Sequence, residues 1–175
     1  MKLNKIMMAA VVTLGTLSMA NAANQGGGTV TFKGSIIEAP CSIDPGTMDQ
    51  TVKLGDVSSA QLKNSGKSTP QEILIRLVGC DLDTASTVTA TFNGGESLTA
   101  PGLLALQGGT AEGASIAIND VDGSLLPLTK ASKAQNLIEG NSTLRFSANL
   151  QGDGASAVIR PGDFNATADF TLAYQ

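Results

Sequence analysis

The sequence predicts an all-β sandwich, and three observations predict it. Thr, Val and Ile are frequent and 20 of the 175 residues are glycine, while only 15% are charged, well short of the usual quarter. Apolar and polar side chains alternate along several short runs, the period-2 pattern of an extended strand with one greasy face. Roughly eight such runs recur at intervals of about 8–15 residues, separated by turn residues. No long helical pattern follows residue 22, and there is no internal repeat.

Residues 1–22 stand apart. Lys2 and Lys5 precede an apolar run over residues 6–17, and Ala20-Asn21-Ala22 fits the small-x-small pattern of a signal-peptide cleavage site. The run is short for a membrane anchor, so a cleaved signal is the better reading and the mature chain begins at Ala23. Cleavage removes two lysines and moves the net charge from -4 to about -6.

The glycine-rich stretch 23–28 (ANQGGG) reads as a flexible leader. Residues 29–37 (TVTFKGSII) read as a strand, with Val30, Phe32, Gly34 and Ile36 on one face and Thr31, Lys33 and Ser35 on the other. Gly34 interrupts the apolar face and implies a bulge or a close backbone approach. Residues 44–49 (DPGTMD) read as a turn and residues 50–54 as a short strand with Val52 and Leu54 inward. Residues 57–62 form one helical turn or a loop. Residues 72–80 (EILIRLVGC) are apolar on nearly both faces, as a central strand is.

Residues 84–92 alternate again, with Val88, Ala90 and Phe92 inward, before a turn at Asn93-Gly94-Gly95. Short strands are expected at 103–106 and 115–119, with Asp122-Gly123 turning the chain between Ile118 and Leu125. Residues 135–139 and 142–150 follow. In the latter Leu144, Phe146, Ala148 and Leu150 face one way, and Arg145, Ser147 and Asn149 the other. After Gly152-Asp153-Gly154 a short run over 157–160 leads to the final strand, 164–175 (FNATADFTLAYQ). There Phe164, Ala166, Ala168, Phe170, Leu172 and Tyr174 share a face, and Asp169 is the lone charge. Such an edge is poorly blunted against pairing with another chain. The pattern leaves open whether residues 29–37 pair within their own domain or with another molecule.

Composition excludes some classes of function. The acidic balance argues against a nucleic-acid partner. The absence of histidine removes the commonest catalytic base and metal ligand. Asp120 and Asp122, or Asp81 and Asp83, are too few oxygen ligands for a calcium loop and read as solvated turn acids. No catalytic, cofactor-binding or metal-binding residue is assigned, and no small-molecule substrate is expected. Five phenylalanines, one tyrosine and no tryptophan, mostly in core patterns, offer little platform for a sugar, although a small secreted carbohydrate-binding β-domain is the outside alternative. For Cys41 and Cys80 in an exported chain a disulfide is the default, closing a loop of about 40 residues and stabilising by roughly 4 kcal/mol. A metal or catalytic thiol pair is the weaker alternative.

The chain as a whole resembles a major pilin, the shaft subunit of the type 1/P-like chaperone–usher fimbriae of Gram-negative bacteria. The resemblance rests on the signal peptide, the glycine-rich leader and GTVTFKGSIIEAPCSI around Cys41. It continues with Cys80 after EILIRLVG, Gly162 fourteenth from the end, and the penultimate Tyr174 in a terminal alternating strand. It implies an incomplete immunoglobulin-like β-sandwich completed by a donor strand from a neighbouring subunit. The implied organisation is a signal peptide at 1–22, an N-terminal extension and donor strand at 23–37, and a pilin domain at 38–175. Val30, Phe32, Gly34 and Ile36 become the donor residues, with Gly34 facing a shallow pocket. Gly162, Phe164, Phe170, Leu172, Tyr174 and Gln175 become the acceptor groove and chaperone-binding residues, and Cys41 and Cys80 the family's structural disulfide. The implied partners are identical subunits in a helical filament, a periplasmic pilus chaperone and an outer-membrane usher, and the destination is the cell surface. A minor or adaptor pilin of the same fimbria shares these features. The glycine-rich, small-residue composition is more like that of a rod subunit.

Overall fold

The computed structural model describes residues 27–175, and the expected signal peptide lies outside them. These residues fall in two units. Ile37–Gln175 is one, and residues 27–36 belong to the other.

Within 37–175 eight strands form two antiparallel sheets. They are β1 (Ser42–Ile43), β2 (Gln71–Cys80), β3 (Thr87–Gly94), β4 (Leu104–Ala105), β5 (Ala114–Asn119), β6 (Gln135–Asn136), β7 (Gly140–Gly152) and β8 (Ala168–Tyr174). One sheet runs β1-β2-β7-β5-β4 and the other β6-β3-β8. The longest strand, β7, sits mid-sheet. Every second residue from Leu144 to Leu150 is buried, and β2 and β5 flank it with Ile75 opposite Leu144 and Ile116 opposite Leu150. From the other sheet β3 contributes Val88, Ala90 and Phe92, all buried. The Phe92 ring meets Phe146 edge-on, with centroids 5.2 Å apart, and Phe170 of β8 at 6.3 Å. That aromatic cluster joins the two layers, because T-shaped packing sets a positive ring edge against a negative ring face.

Several local expectations needed correction. Residues 44–49 are not a simple turn: Pro45–Met48 is a short helix, α1, because the Asp44 carboxylate accepts from the Gly46 N–H and Pro45 starts the turn with a preset φ. The helical alternative for 57–62 holds as α2 (Ser59–Leu62), capped by Ser58. The segment 72–80 is next to the edge rather than central, with only the two-residue β1 beyond it. Asn93 and Gly94 continue β3 instead of turning. Asn149 was expected to face outward, yet it is 2% exposed. Its side-chain amide donates to the Leu150 carbonyl and its oxygen accepts from Asn119 at 2.8 Å, while the adjacent Leu150 N–H donates to the Ser68 hydroxyl.

The turn acids are absorbed by local structure. Asp120 accepts from the N–H groups of Val121 and Lys133, both at 2.7 Å. Asp122 accepts from Ser124 and pairs with the Lys133 ammonium, which with the Ser124 hydrogen bonds holds its carboxyl far below the usual carboxylate range.

Candidate functional site: an open cleft beside an unpaired strand edge

Two expected strands lack partners, and both absences matter. Residues 50–54 are extended but form no strand. Along 51–57 no main-chain group makes a backbone hydrogen bond among the described residues, although Val52, Leu54 and Val57 turn half-buried side chains inward. Residues 29–37 likewise form no strand. Phe32 is 90% exposed and Ile36 fully exposed, and a Cβ on Gly34 would meet nothing within 4 Å. Their alternation specifies a face, but nothing among the described residues supplies the ladder that makes an extended segment a strand.

The last strand has the opposite deficiency. β8 pairs along one edge with β3, from Val88–Tyr174 to Gly94–Ala168. It is the edge strand of its sheet, so the outward half of its N–H and C=O groups has no ladder partner there. The chain just before it, 158–165, is not free. Arg160 and Glu112 exchange backbone hydrogen bonds at 2.9 and 3.2 Å, Asn165 and Gln107 at 2.8 and 2.7 Å, and Thr110 donates to the Asp163 carbonyl. This ladder explains Gly162: a Cβ there would overlap the Thr110 hydroxyl and lie 2.6 Å from the Ala111 nitrogen. Glycine is the residue that permits so close a backbone approach.

Between β8 and residues 50–57 lies a cleft of about 1230 Å³. One wall carries Phe164, Ala168 and Phe170, and the other Val52, Leu54 and Val57. Its floor is the core itself, including Leu104, Ile116 and Leu150. Of the expected acceptor residues, Gly162, Phe164 and Phe170 line this cleft. Leu172 and Tyr174 share the same strand face, half-buried against the core, and burial pushes the Tyr174 phenol up. Gln175 is anchored within the chain: its main-chain oxygen accepts from the N–H groups of Ser86 and Thr87 at 2.8 and 2.9 Å. The sequence reading missed the Val52–Leu54–Val57 wall as part of the site. The signal was present, an alternating run with no hairpin partner beside it.

Cys41 and Cys80 form the expected disulfide, 39 residues apart, joining the approach to β1 with the end of β2. Among the described residues no group of histidine, cysteine, aspartate or glutamate side chains is placed to hold a metal. The chemistry of the cleft is apolar side-chain pockets next to unpaired main chain, the requirements for receiving an extended peptide.

The sequence model of the family described as "Fimbrial protein" matches residues 30–175. The chain belongs to that family. Over its full length this fimbrial subunit is 57% identical to the Fimbria A protein of Serratia marcescens and 46% identical to the Major MR/P fimbria protein of Proteus mirabilis (strain HI4320), covering the whole of each. Among solved structures it is similar to a subunit of a chaperone–usher pilus described for its rod uncoiling, with TM-score 0.75, 31% identity, and 86% and 97% of the two chains covered. It is also similar to the P pilus rod subunit PapA, with TM-score 0.68, 30% identity, and 78% and 100% covered. The subunit is therefore a structural pilin of the chaperone–usher class with an immunoglobulin-like fold, and its relatives carry the names of fimbrial major subunits.

Proposed function

We propose that this subunit builds the shaft of a surface fimbria by donor-strand exchange. Residues 29–37 of one copy lie in the cleft of the next, between β8 and residues 50–57, and complete its sandwich. The observation that carries the reading is a double deficiency in one chain: an apolar cleft flanked by unpaired main chain, and an exposed alternating segment with no ladder. Each supplies what the other lacks. Main-chain hydrogen bonds give affinity, and Val30, Phe32 and Ile36 entering pockets give register. Because the donor and the cleft are different surfaces, the contact is head to tail and does not close, so it propagates as a filament.

Before assembly the same cleft needs a temporary occupant, since an uncovered apolar edge invites aggregation. A periplasmic chaperone fills that role and an outer-membrane usher hosts the exchange. The route is a signal peptide at 1–22, passage through the periplasm, and the cell surface, where the fimbria serves adhesion. The work is structural and uses no cofactor, metal, nucleic acid or small-molecule substrate.

A competition experiment tests this. A free peptide of residues 27–37, added to chaperone-bound subunits, caps clefts and shortens the polymer ladder in proportion to its concentration. A scrambled peptide does not. A ladder indifferent to the authentic peptide contradicts the proposal.

A further inference from the structure

Apolar alternation leaves the register of such a junction ambiguous. Donor residues 30, 32, 34 and 36 and cleft residues 164, 166, 168, 170 and 172 each repeat every second position. A slip of one residue turns the donor's apolar face to water and is forbidden. A slip of two keeps the donor's apolar face inward but moves a side chain into the pocket that Gly34 leaves, so pocket fit opposes it. A charge on the outward face adds to that preference.

The outward faces carry one charge each. In residues 29–37 it is Lys33, between Thr31 and Ser35. On β8 it is Asp169, between Thr167 and Thr171. Asp169 is exposed and has no ion-pair partner among the described residues. Its neighbour across the β3 ladder is Asn93, and the flanking outward positions of β3, Thr91 and Thr89, are also neutral. The acid is thus uncompensated and stands on the strand that has a vacant edge.

We propose, resting on the donor-strand reading, that Lys33 of the incoming subunit pairs across the junction with Asp169 of the receiving subunit and reinforces the register. In that register Lys33 and Asp169 lie directly opposite whichever way the donor runs along β8, because both sit at the middle of the match. The two inward donor residues beside Lys33, Phe32 and Gly34, then face Ala168 and Phe170. A slip of two in either direction sets Lys33 against Thr167 or Thr171, both neutral.

Charge reversal in assembling fimbriae tests the pairing. Lys33→Glu and Asp169→Lys each slow ladder growth by about two- to fivefold, the range for one exposed cross-strand pair. The double variant Lys33→Glu/Asp169→Lys returns to the wild-type rate. Lys33→Glu combined with Thr167→Lys or with Thr171→Lys stays slow. Single reversals without effect, a double variant no faster than the product of the two single defects, or rescue from position 167 or 171 instead of 169 would each overturn the proposal. All these positions are exposed, so folding is not at issue. The donor-strand reading fails separately, if Gly34→Asn polymerises normally. A Gly34→Asn block without charge-swap rescue removes this pair alone.

Discussion

Gly34→Asn leaves the subunit folded and chaperone-bound but stops polymerisation. In the free extension Gly34 has open space around it, so the substitution costs the monomer nothing. On the proposed donor-strand reading, position 34 faces inward with Val30, Phe32 and Ile36 in a neighbour's cleft. A side chain there is then expected to overpack a pocket shaped for none and to bring an amide into an apolar wall. Overpacking alone costs about 1–3 kcal/mol, and burying an unpartnered amide adds about 1–3 kcal/mol. Each junction therefore weakens by a factor of ten or more. On gels run without boiling the wild type gives a ladder that boiling collapses to monomer. The variant gives monomer in both lanes. A variant that ladders like the wild type would mean that Gly34 faces no tight intermolecular pocket.

Removing the disulfide is the second large effect. β1 contributes only two paired residues, Ser42 with Val78 and Ile43 with Leu77, so few other bonds fasten the start of the domain. The Pro40 carbonyl accepting from Asp81 and the Asp44 N–H donating to Arg76, both at 2.9 Å, are the nearest reinforcements. Loss of a native disulfide from a small exported domain costs about 2–5 kcal/mol, out of a typical total of about 5–15 kcal/mol. A sandwich with one cleft uncovered has less than usual to spare. The double variant Cys41→Ser/Cys80→Ser is expected to fall several-fold or more in periplasmic yield, read by immunoblot against wild type. Equal yield would show that β1 is held without the bond.

Strands with a complete apolar face were legible because their alternation and their burial have the same cause. Val88, Ala90 and Phe92, or Leu144 to Leu150, could be placed from spacing alone, and β3 and β7 follow. Alternation specifies a face and not a partner, so residues 50–54, expected as a short strand, are an extended but unpaired wall. The ladder between residues 107–112 and 160–165 was also hidden. Apart from Pro161 and Phe164 it is built from glycine, alanine and polar residues, whose side chains leave no period, and it is held by backbone bonds at close approach. The buried Asn149 was misplaced because its side chain meets Asn119 of β5, 30 residues away in sequence. Of the site, the β8 wall could be read directly, whereas the opposite wall needed the fold to bring Val52 and Leu54 across from Phe170.

Photo-crosslinking distinguishes residues 29–37 completing a different copy of the chain from residues 29–37 pairing within their own. A benzophenone amino acid in place of Phe32, irradiated in assembled fimbriae that are then boiled, should yield covalent dimers and higher multiples. Peptide mapping should find the crosslink between position 32 of one copy and the cleft residues around 164–172 of another. Irradiated fimbriae that boil to monomers alone, with the crosslink inside a single chain, would show that the extension pairs within its own domain and would contradict the account.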